Sequence, residues 1–251
     1  MALGRLLSGL LSSDPVACKH AWDPHTNERD CTCAFVRCHR CAVVKKVSRC
    51  EFHESTTQDK RPAREYFESM GLFDDGIPQN TTYAMELTSA LVEMQAPAFA
   101  PGSSVLEIGS GIGRLVPWFL KGGMSYTALE PDAWAARYIR DAYDVAVTTD
   151  LWEAAAFAPR SIDVVAAIQC LEHVANADEA FAKMVEVSRR YVLIVVPEGW
   201  DIWNPDHLWM FTRDVLRTWG RNMGLRVYGP VQKRVAEPED TIYALFERSP
   251  A

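Results

Sequence analysis

Residues able to do chemistry gather at three places along this chain. The first is a run of sulfur and imidazole: Cys18, His20, Cys31, Cys33, Cys38, Cys41, Cys50 and His53. Such donors in close pairs can converge on one ion, because a tight turn brings both to the same point. Cys38-His39-Arg40-Cys41 is a C-x-x-C pair, and Cys18-Lys19-His20 supplies a C-x-H pair ahead of it. Cys18, His20, Cys38 and Cys41 are therefore the expected ligands of one zinc ion. Two interleaved sites would follow if Cys31/Cys33 and Cys50/His53 held a second ion, although C-x-C is tighter than zinc knuckles usually use. Plain loop thiols, with no metal, are the remaining alternative. A segment so short and polar has little core, so a bound ion would supply much of its folding free energy.

The second place is Glu107-Ile108-Gly109-Ser110-Gly111-Ile112-Gly113, between an apolar strand and an apolar helical stretch. Glycines let the backbone turn sharply and approach a ligand where a Cβ would clash. A dinucleotide fingerprint G-x-G-x-x-G would put its third glycine at 114, which is Arg114. The spacing is instead E-x-G-x-G-x-G. Glu130 follows 21 residues after Gly109 at the end of the next apolar run, where an acid accepts hydrogen bonds from both ribose hydroxyls. A third run, 145–152, ends in an acid and an aromatic, Asp150 and Trp152.

The third place is Gln169-Cys170-Leu171-Glu172-His173, a polar tip on a buried strand, together with Asp206-His207 further on. An imidazole titrates near neutral pH, so His173 and His207 are candidate general bases. Each could equally serve only to bond backbone or orient a ligand.

Positioning these groups requires strands alternating with helices. Apolar runs over 105–108, 126–129, 145–152, 161–168 and 191–196 predict strands of a doubly wound parallel sheet, giving an α/β fold. Two late runs, 225–231 and 241–248, predict a hairpin that adds an antiparallel strand to the edge. Leu3, Leu6, Leu7, Leu10 and Leu11 predict a short amphipathic N-terminal helix. The chain has 251 residues and a net charge of −7, which argues against a generic nucleic-acid binder. No run approaches the roughly 18 apolar residues of a membrane span. Charge and cysteine are unevenly distributed: residues 1–61 are net positive and hold six of the seven cysteines. The expected division is 1–60 as N-terminal helix and zinc segment, 61–100 as linker and cap helices, and 101–251 as the cofactor domain. With no export signal fitting the start, the cysteines read as reduced and the protein as cytoplasmic.

These motifs in this order resemble the class I S-adenosylmethionine-dependent methyltransferases, in the broad small-molecule group with an L-E-H-V signature. Asp206-His207-Leu208-Trp209-Met210-Phe211-Thr212-Arg213 is similar to that group too, and the resemblance covers roughly residues 80–248. The N-terminal pattern C-x-H-x-W…F-V-R-C-x-R-C-A-V-V resembles a single-ion zinc ribbon. The resemblance implies a seven-stranded Rossmann-like sheet and S-adenosylmethionine as cofactor. It places Glu107, Gly109, Gly111 and Gly113 around the methionine end, Glu130 at the ribose, Asp150 and Leu151 at the adenine, and Gln169 at the cofactor-facing strand tip. Ubiquinone-pathway relatives hold a divalent cation with E-x-x-E-H. Here Gln169 replaces the first carboxylate, which counts against a metal-assisted mechanism.

The expected function is methyl transfer to a small-molecule acceptor of sugar or natural-product type. An RNA acceptor is the alternative, supported by Arg37, Arg40, Lys45, Lys46 and Arg49, as is a non-catalytic zinc- and cofactor-binding adaptor. Arg64, Tyr66 and Phe67 could cap the cofactor or only pack on the sheet. Trp200, Trp203, Trp209 and Trp219 could stack an acceptor or fill the core.

Overall fold

A computed structural model describes residues 22–25, 35–38, 40–41, 43–46, 64–65, 68, 73–74, 77–78, 81–199, 207–234 and 240–249. The expected N-terminal amphipathic helix lies outside them, as do Cys18, His20, Cys31, Cys33, Cys50, His53, Tyr66, Phe67, Trp200, Trp203 and Asp206.

Three short strands open the fold: β1 (Trp22–His25), β2 (Phe35–Cys38) and β3 (Val44–Lys46). A two-stranded pair, β4 (Phe73–Asp74) and β5 (Ile77–Pro78), precedes α1 (Thr81–Glu93). Then strands and helices alternate: β6 (Ser104–Ile108), α2 (Val116–Lys121), β7 (Ser125–Leu129), α3 (Ala133–Tyr143) and β8 (Ala146–Thr148). They continue as β9 (Ile162–Ile168), α4 (Ala177–Val187), β10 (Ser188–Pro197), β11 (Trp209–Met210) and α5 (Arg213–Asn222). The hairpin β12 (Arg226–Arg234) and β13 (Asp240–Glu247) closes the chain.

The main sheet has seven strands in the order β12-β13-β10-β9-β6-β7-β8. The five strands from β10 to β8 run parallel, and β13 runs antiparallel to both neighbours. Successive strand residues point to opposite faces, and both faces are covered. Leu106, Val165, Ile194 and Phe246 pack with Phe181 of α4 and Trp219 of α5. Val105, Ala166, Leu193 and Leu245 pack with Leu87 of α1, Phe119 of α2 and Ile139 of α3. This is the doubly wound arrangement expected.

The hairpin adds an antiparallel strand beside β10, as expected, and leaves β12 outermost. Its second strand, β13, is not at the edge but lies between β10 and β12. Burial explains the order. Ile242 through Phe246 are all at most 1% exposed, so β13 needs neighbours on both sides. β12 carries Arg226, Lys233 and Pro230, and a proline lacking an N–H is tolerated at an edge.

The N-terminal strands join the C-terminal half of the chain through backbone. They form a second sheet in the order β1-β2-β3-β11, with Lys45 opposite Trp209 and Val44 opposite Met210. Lys46 N–H donates to the Leu208 carbonyl at 2.8 Å, and Leu208 N–H to the Glu172 carbonyl at 2.7 Å. The Lys45 ammonium donates to the Ala175 carbonyl at 2.8 Å and sits 4.5 Å over the Trp209 ring. Trp209 Nε1–H in turn donates to the Val174 carbonyl at 2.7 Å. Trp209 is thus the post that holds β3 and the 172–176 turn together. Replacing it with Ala is expected to cost about 3–5 kcal/mol, as for other buried tryptophans. Urea denaturation should read that loss, and amide exchange should accelerate at Lys46 and Leu208. A Trp209→Ala protein with unchanged stability and exchange would mean that β3 is not held this way.

Candidate active site

The carboxyl ends of β6, β7 and β9 meet where ligands bind in such sheets. After β6 the chain enters the glycine turn, where Gly109, Gly111 and Gly113 adopt φ of 65°, 55° and 76°. A Cβ at Gly109 would come within 2.6 Å of Cys170 Sγ, and one at Gly113 within 2.9 Å of Val116. These glycines are therefore required by close approach as well as by backbone conformation.

Two carboxylates flank the turn. Glu107 is 3% exposed and accepts a hydrogen bond of 2.7 Å from the Tyr126 hydroxyl. Burial pushes its pKa up to about 7, against the stabilising hydrogen bond from Tyr126. Glu130 stands at the end of β7 and accepts from Gly111 N–H at 2.7 Å and Asp132 N–H at 2.9 Å. Burial raises its pKa also, and those two amides oppose the shift. Next to it Asp132 caps α3, accepting from the Trp134 and Ala135 amides. The acid that ends β7 and the acid that starts the helix are thus distinct residues with distinct partners.

The remaining cofactor candidates lie along the same rim. Asp150 is exposed, Leu151 is an exposed apolar side chain, and both follow β8. Gln169 closes β9 with φ of 51°, a left-handed conformation uncommon outside glycine. Its N–H is held by the Val195 carbonyl at 2.8 Å. That backbone turns the chain sharply at the strand tip, and the next residue, Cys170, packs against Gly109. Burial, then the charges of Glu172, Glu130, Glu107 and Glu153, push the Cys170 thiol strongly upward, which disfavours its thiolate.

The structure brings His173 and His207 together, although 34 residues separate them. Their rings stand edge to face with centroids 4.7 Å apart. Glu172, only 1% exposed, lies beneath them, with its Oε1 3.9 Å from His173 Nε2. Glu172 is the site residue that spacing passed over. Its place as the second carboxylate in the E-x-x-E-H comparison was a signal for it, whereas its convergence with His207 has no signature in sequence. Trp209 and Trp219, at 2% and 0% exposure, belong to the core and do not form a stacking surface.

Of the expected zinc ligands, Cys38 and Cys41 are described and buried, on the turn from β2 to β3. Arg40 N–H donates to Cys38 Sγ at 3.4 Å, and Cys38 N–H closes the hairpin on the Val43 carbonyl at 2.9 Å. A cavity of about 980 Å³ between α1 and α2, lined by Met85, Val92, Phe99 and Trp118, contains none of these groups.

Known proteins bear on this geometry through fold. The magnesium protoporphyrin IX methyltransferase of Synechocystis PCC 6803, with bound SAH, is similar over 78% of this chain and 100% of its own, with a TM-score of 0.59 and 12% identity. A chain of the complex between the Haloferax volcanii Trm112 methyltransferase activator and a methyltransferase is similar over 74% and 96%, with a TM-score of 0.57 and 14% identity. The [4+2]-cyclase SpnF is similar over 66% and 79%, with a TM-score of 0.54 and 11% identity. At such identities the likeness is one of architecture. No curated relative matches the sequence. A family model described as a methyltransferase domain does match, over residues 81–228. That is more than half of the chain, which therefore belongs to the methyltransferase-domain family and is an enzyme of methyl transfer.

Proposed function

We propose that this enzyme transfers a methyl group from S-adenosylmethionine to a small-molecule acceptor of sugar or natural-product type, by in-line displacement. The observation that carries the reading is the turn of three left-handed glycines set between buried Glu107 and Glu130. The donor chemistry fits: a ligand with an ammonium, a sulfonium and a ribose diol suits a rim of carboxylates. Glu107, Gly109, Gly111 and Gly113 would hold the methionine end, and Glu130 the ribose hydroxyls. Asp150 and Leu151 would border the adenine, the exposed leucine giving it an apolar face. Gln169 would face the sulfonium from the strand tip. When bound, the cofactor supplies an electrophilic methyl carbon. The chain contributes alignment, which carries much of the acceleration in such displacements. His173 and His207 are the acceptor-side groups able to orient an acceptor and take its proton.

The small-molecule reading is preferred over RNA because part of the basic N-terminal run faces inward. Lys46 is 4% exposed, and Lys45 is engaged by Ala175 and Trp209. An adaptor without catalysis would have no need of the intact turn. Among the described residues no helix is long and apolar enough to cross a membrane.

A zinc ion on Cys38 and Cys41, with Cys18 and His20 completing the set, fits the N-terminal sheet. The C-x-x-C pair sits on a hairpin turn, and a backbone N–H donating to a cysteine sulfur steadies a thiolate. One zinc per chain should co-purify, measured by elemental analysis, and Cys38→Ser or Cys41→Ser should release it with residues 81–228 still folded. Two equivalents would indicate the interleaved arrangement.

Calorimetry tests the cofactor assignment. The chain should bind S-adenosylmethionine and not NAD, and Glu130→Gln or Glu130→Ala should weaken binding by about 1–3 kcal/mol, the cost of lost bonds to a charged acceptor. Saturable NAD binding without a response to S-adenosylmethionine would overturn the assignment.

Glu107 predicts a pH dependence with a definite sign. Its pKa rises from 4.5 in the unfolded chain to about 7 when folded. The folded apoprotein therefore binds a proton that the unfolded chain has released, and this group's contribution to stability falls between pH 4.5 and 7. A cationic ligand favours the ionised carboxylate, so cofactor affinity should rise as pH increases through about 7. Calorimetric titrations from pH 6 to 8 should show the rise in the parent and a flatter profile in Glu107→Gln.

A further inference from the structure

Glu172, His173 and His207 offer one donor atom each, and these atoms all lie within 4.8 Å of one another. Ligands of a single first-row ion, bound at about 2.0–2.2 Å, stand about 3–4 Å apart. The gap closes with a movement of about 1 Å or less on that geometry. His173, whose side chain is 40% exposed, is the residue with room to make it. Glu172 and His207 are buried. Their segments are fixed to each other because the Glu172 carbonyl accepts from both Leu208 N–H and Trp209 N–H, at 2.7 and 3.2 Å. Two imidazoles and one carboxylate on a preset frame are the donor set of a three-ligand site for a first-row divalent ion, with further positions left open.

The cluster also stands beside the proposed cofactor pocket. His173 N–H donates to the Cys170 carbonyl at 3.0 Å, and Cys170 Sγ packs where a Cβ at Gly109 would be. Gln169 removes the carboxylate that would complete a cation site within the strand tip. The third donor is instead His207, brought in from the segment before β11.

We propose that Glu172, His173 and His207 bind a divalent first-row cation, and that the open positions on this cation receive an ionisable oxygen of the methyl acceptor. The acceptor class that follows is a hydroxyl, phenol or carboxylate compound. The catalytic part rests on the methyl-donor assignment above; the metal-binding part does not. Charge withdrawal by the cation lowers the acceptor's O–H pKa, and the proton leaves to solvent. The oxygen lone pair then forms the bond to the methyl carbon while the methyl–sulfur bond breaks. Its electron pair stays on sulfur, which leaves as a neutral thioether. In the loaded enzyme the two imidazoles hold the cation, and acidification of the acceptor replaces direct proton uptake by histidine.

The test is titration of the full-length protein with Mn²⁺, followed by loss of the electron paramagnetic resonance signal of the free ion. Mn²⁺ suits nitrogen and oxygen donors and not thiolates, which separates this site from the cysteine turn. One saturable site is expected, weakened at least tenfold in His207→Ala, Glu172→Gln and His173→Ala, and unchanged in Cys38→Ser. His173 is exposed, so its variant should fold whatever becomes of the buried pair, and circular dichroism checks each. In turnover assays, chelation should abolish activity and Mn²⁺ restore it. The acidic midpoint of the pH–rate profile should shift when Mn²⁺ is replaced by Co²⁺. No saturable Mn²⁺ binding, or binding indifferent to all three variants, would overturn the proposal. So would full activity in chelator, with His207→Ala equally impaired with and without metal; that result makes the imidazole a direct base. Calorimetry with S-adenosylmethionine on the chelated protein separates the two readings, because failure there removes the methyl-donor assignment and leaves the Mn²⁺ result standing.

Discussion

A parallel sheet covered on both faces leaves a polar side chain few places to go, and the rest of this structure follows from that constraint. From β6 to β10 nearly every inward position is apolar and buried, because α4 and α5 close one face and α1 to α3 the other. A charged group within those layers would cost several kcal/mol unless paired. The strand tips are the exception, since the backbone leaves the sheet there and exposes amides and a rim of solvent. Glu107, Glu130, Gln169 and Glu172 all lie at or just beyond such tips. Covering the sheet and building the site are thus two results of one packing arrangement.

The tips differ in how their charge is satisfied. Glu130 is held by two backbone amides, so it remains an acceptor in a fixed place. Glu107 is deeper and leans on a phenol, a weaker source of stabilisation, which is why its pKa reaches about 7. A group so poised loses little by ionising when a cation arrives. The same burial that destabilises its charge in the apoprotein makes it selective for a positively charged ligand.

What could be read from the sequence divides along the same line. The glycine turn, Glu130 and the alternation of strands and helices are local signals: each is set by residues within one β–α–β unit. The pairing of β12 with β13 was also local and came out as expected. The position of β13 inside the sheet was not local, because neighbour choice depends on how many faces of Ile242 to Phe246 must be buried. The acceptor side was still less accessible. His207 meets Glu172 from 35 residues away, and Lys45 meets Ala175 from 130 residues away. No periodicity encodes either contact, since both depend on the path taken by the segment that enters β11.

That path brings β3 against the segment that carries His207, so the N-terminal strands are not a separate appendage. β11 is only two residues long, and so short a strand gains little from its own hydrogen bonds. It is held from one side by β3 and from the other by Trp209, buried against the core under α5. The Glu172 carbonyl, bonded to both Leu208 and Trp209, then sets the distance between the strand tip and His207. The order of these links matters. A metal on the cysteine turn would stiffen the β2–β3 hairpin, the hairpin would steady β11, and β11 would fix the imidazole. β3, in the positively charged N-terminal segment, then has a mechanical role within the chain: it braces the segment that carries His207.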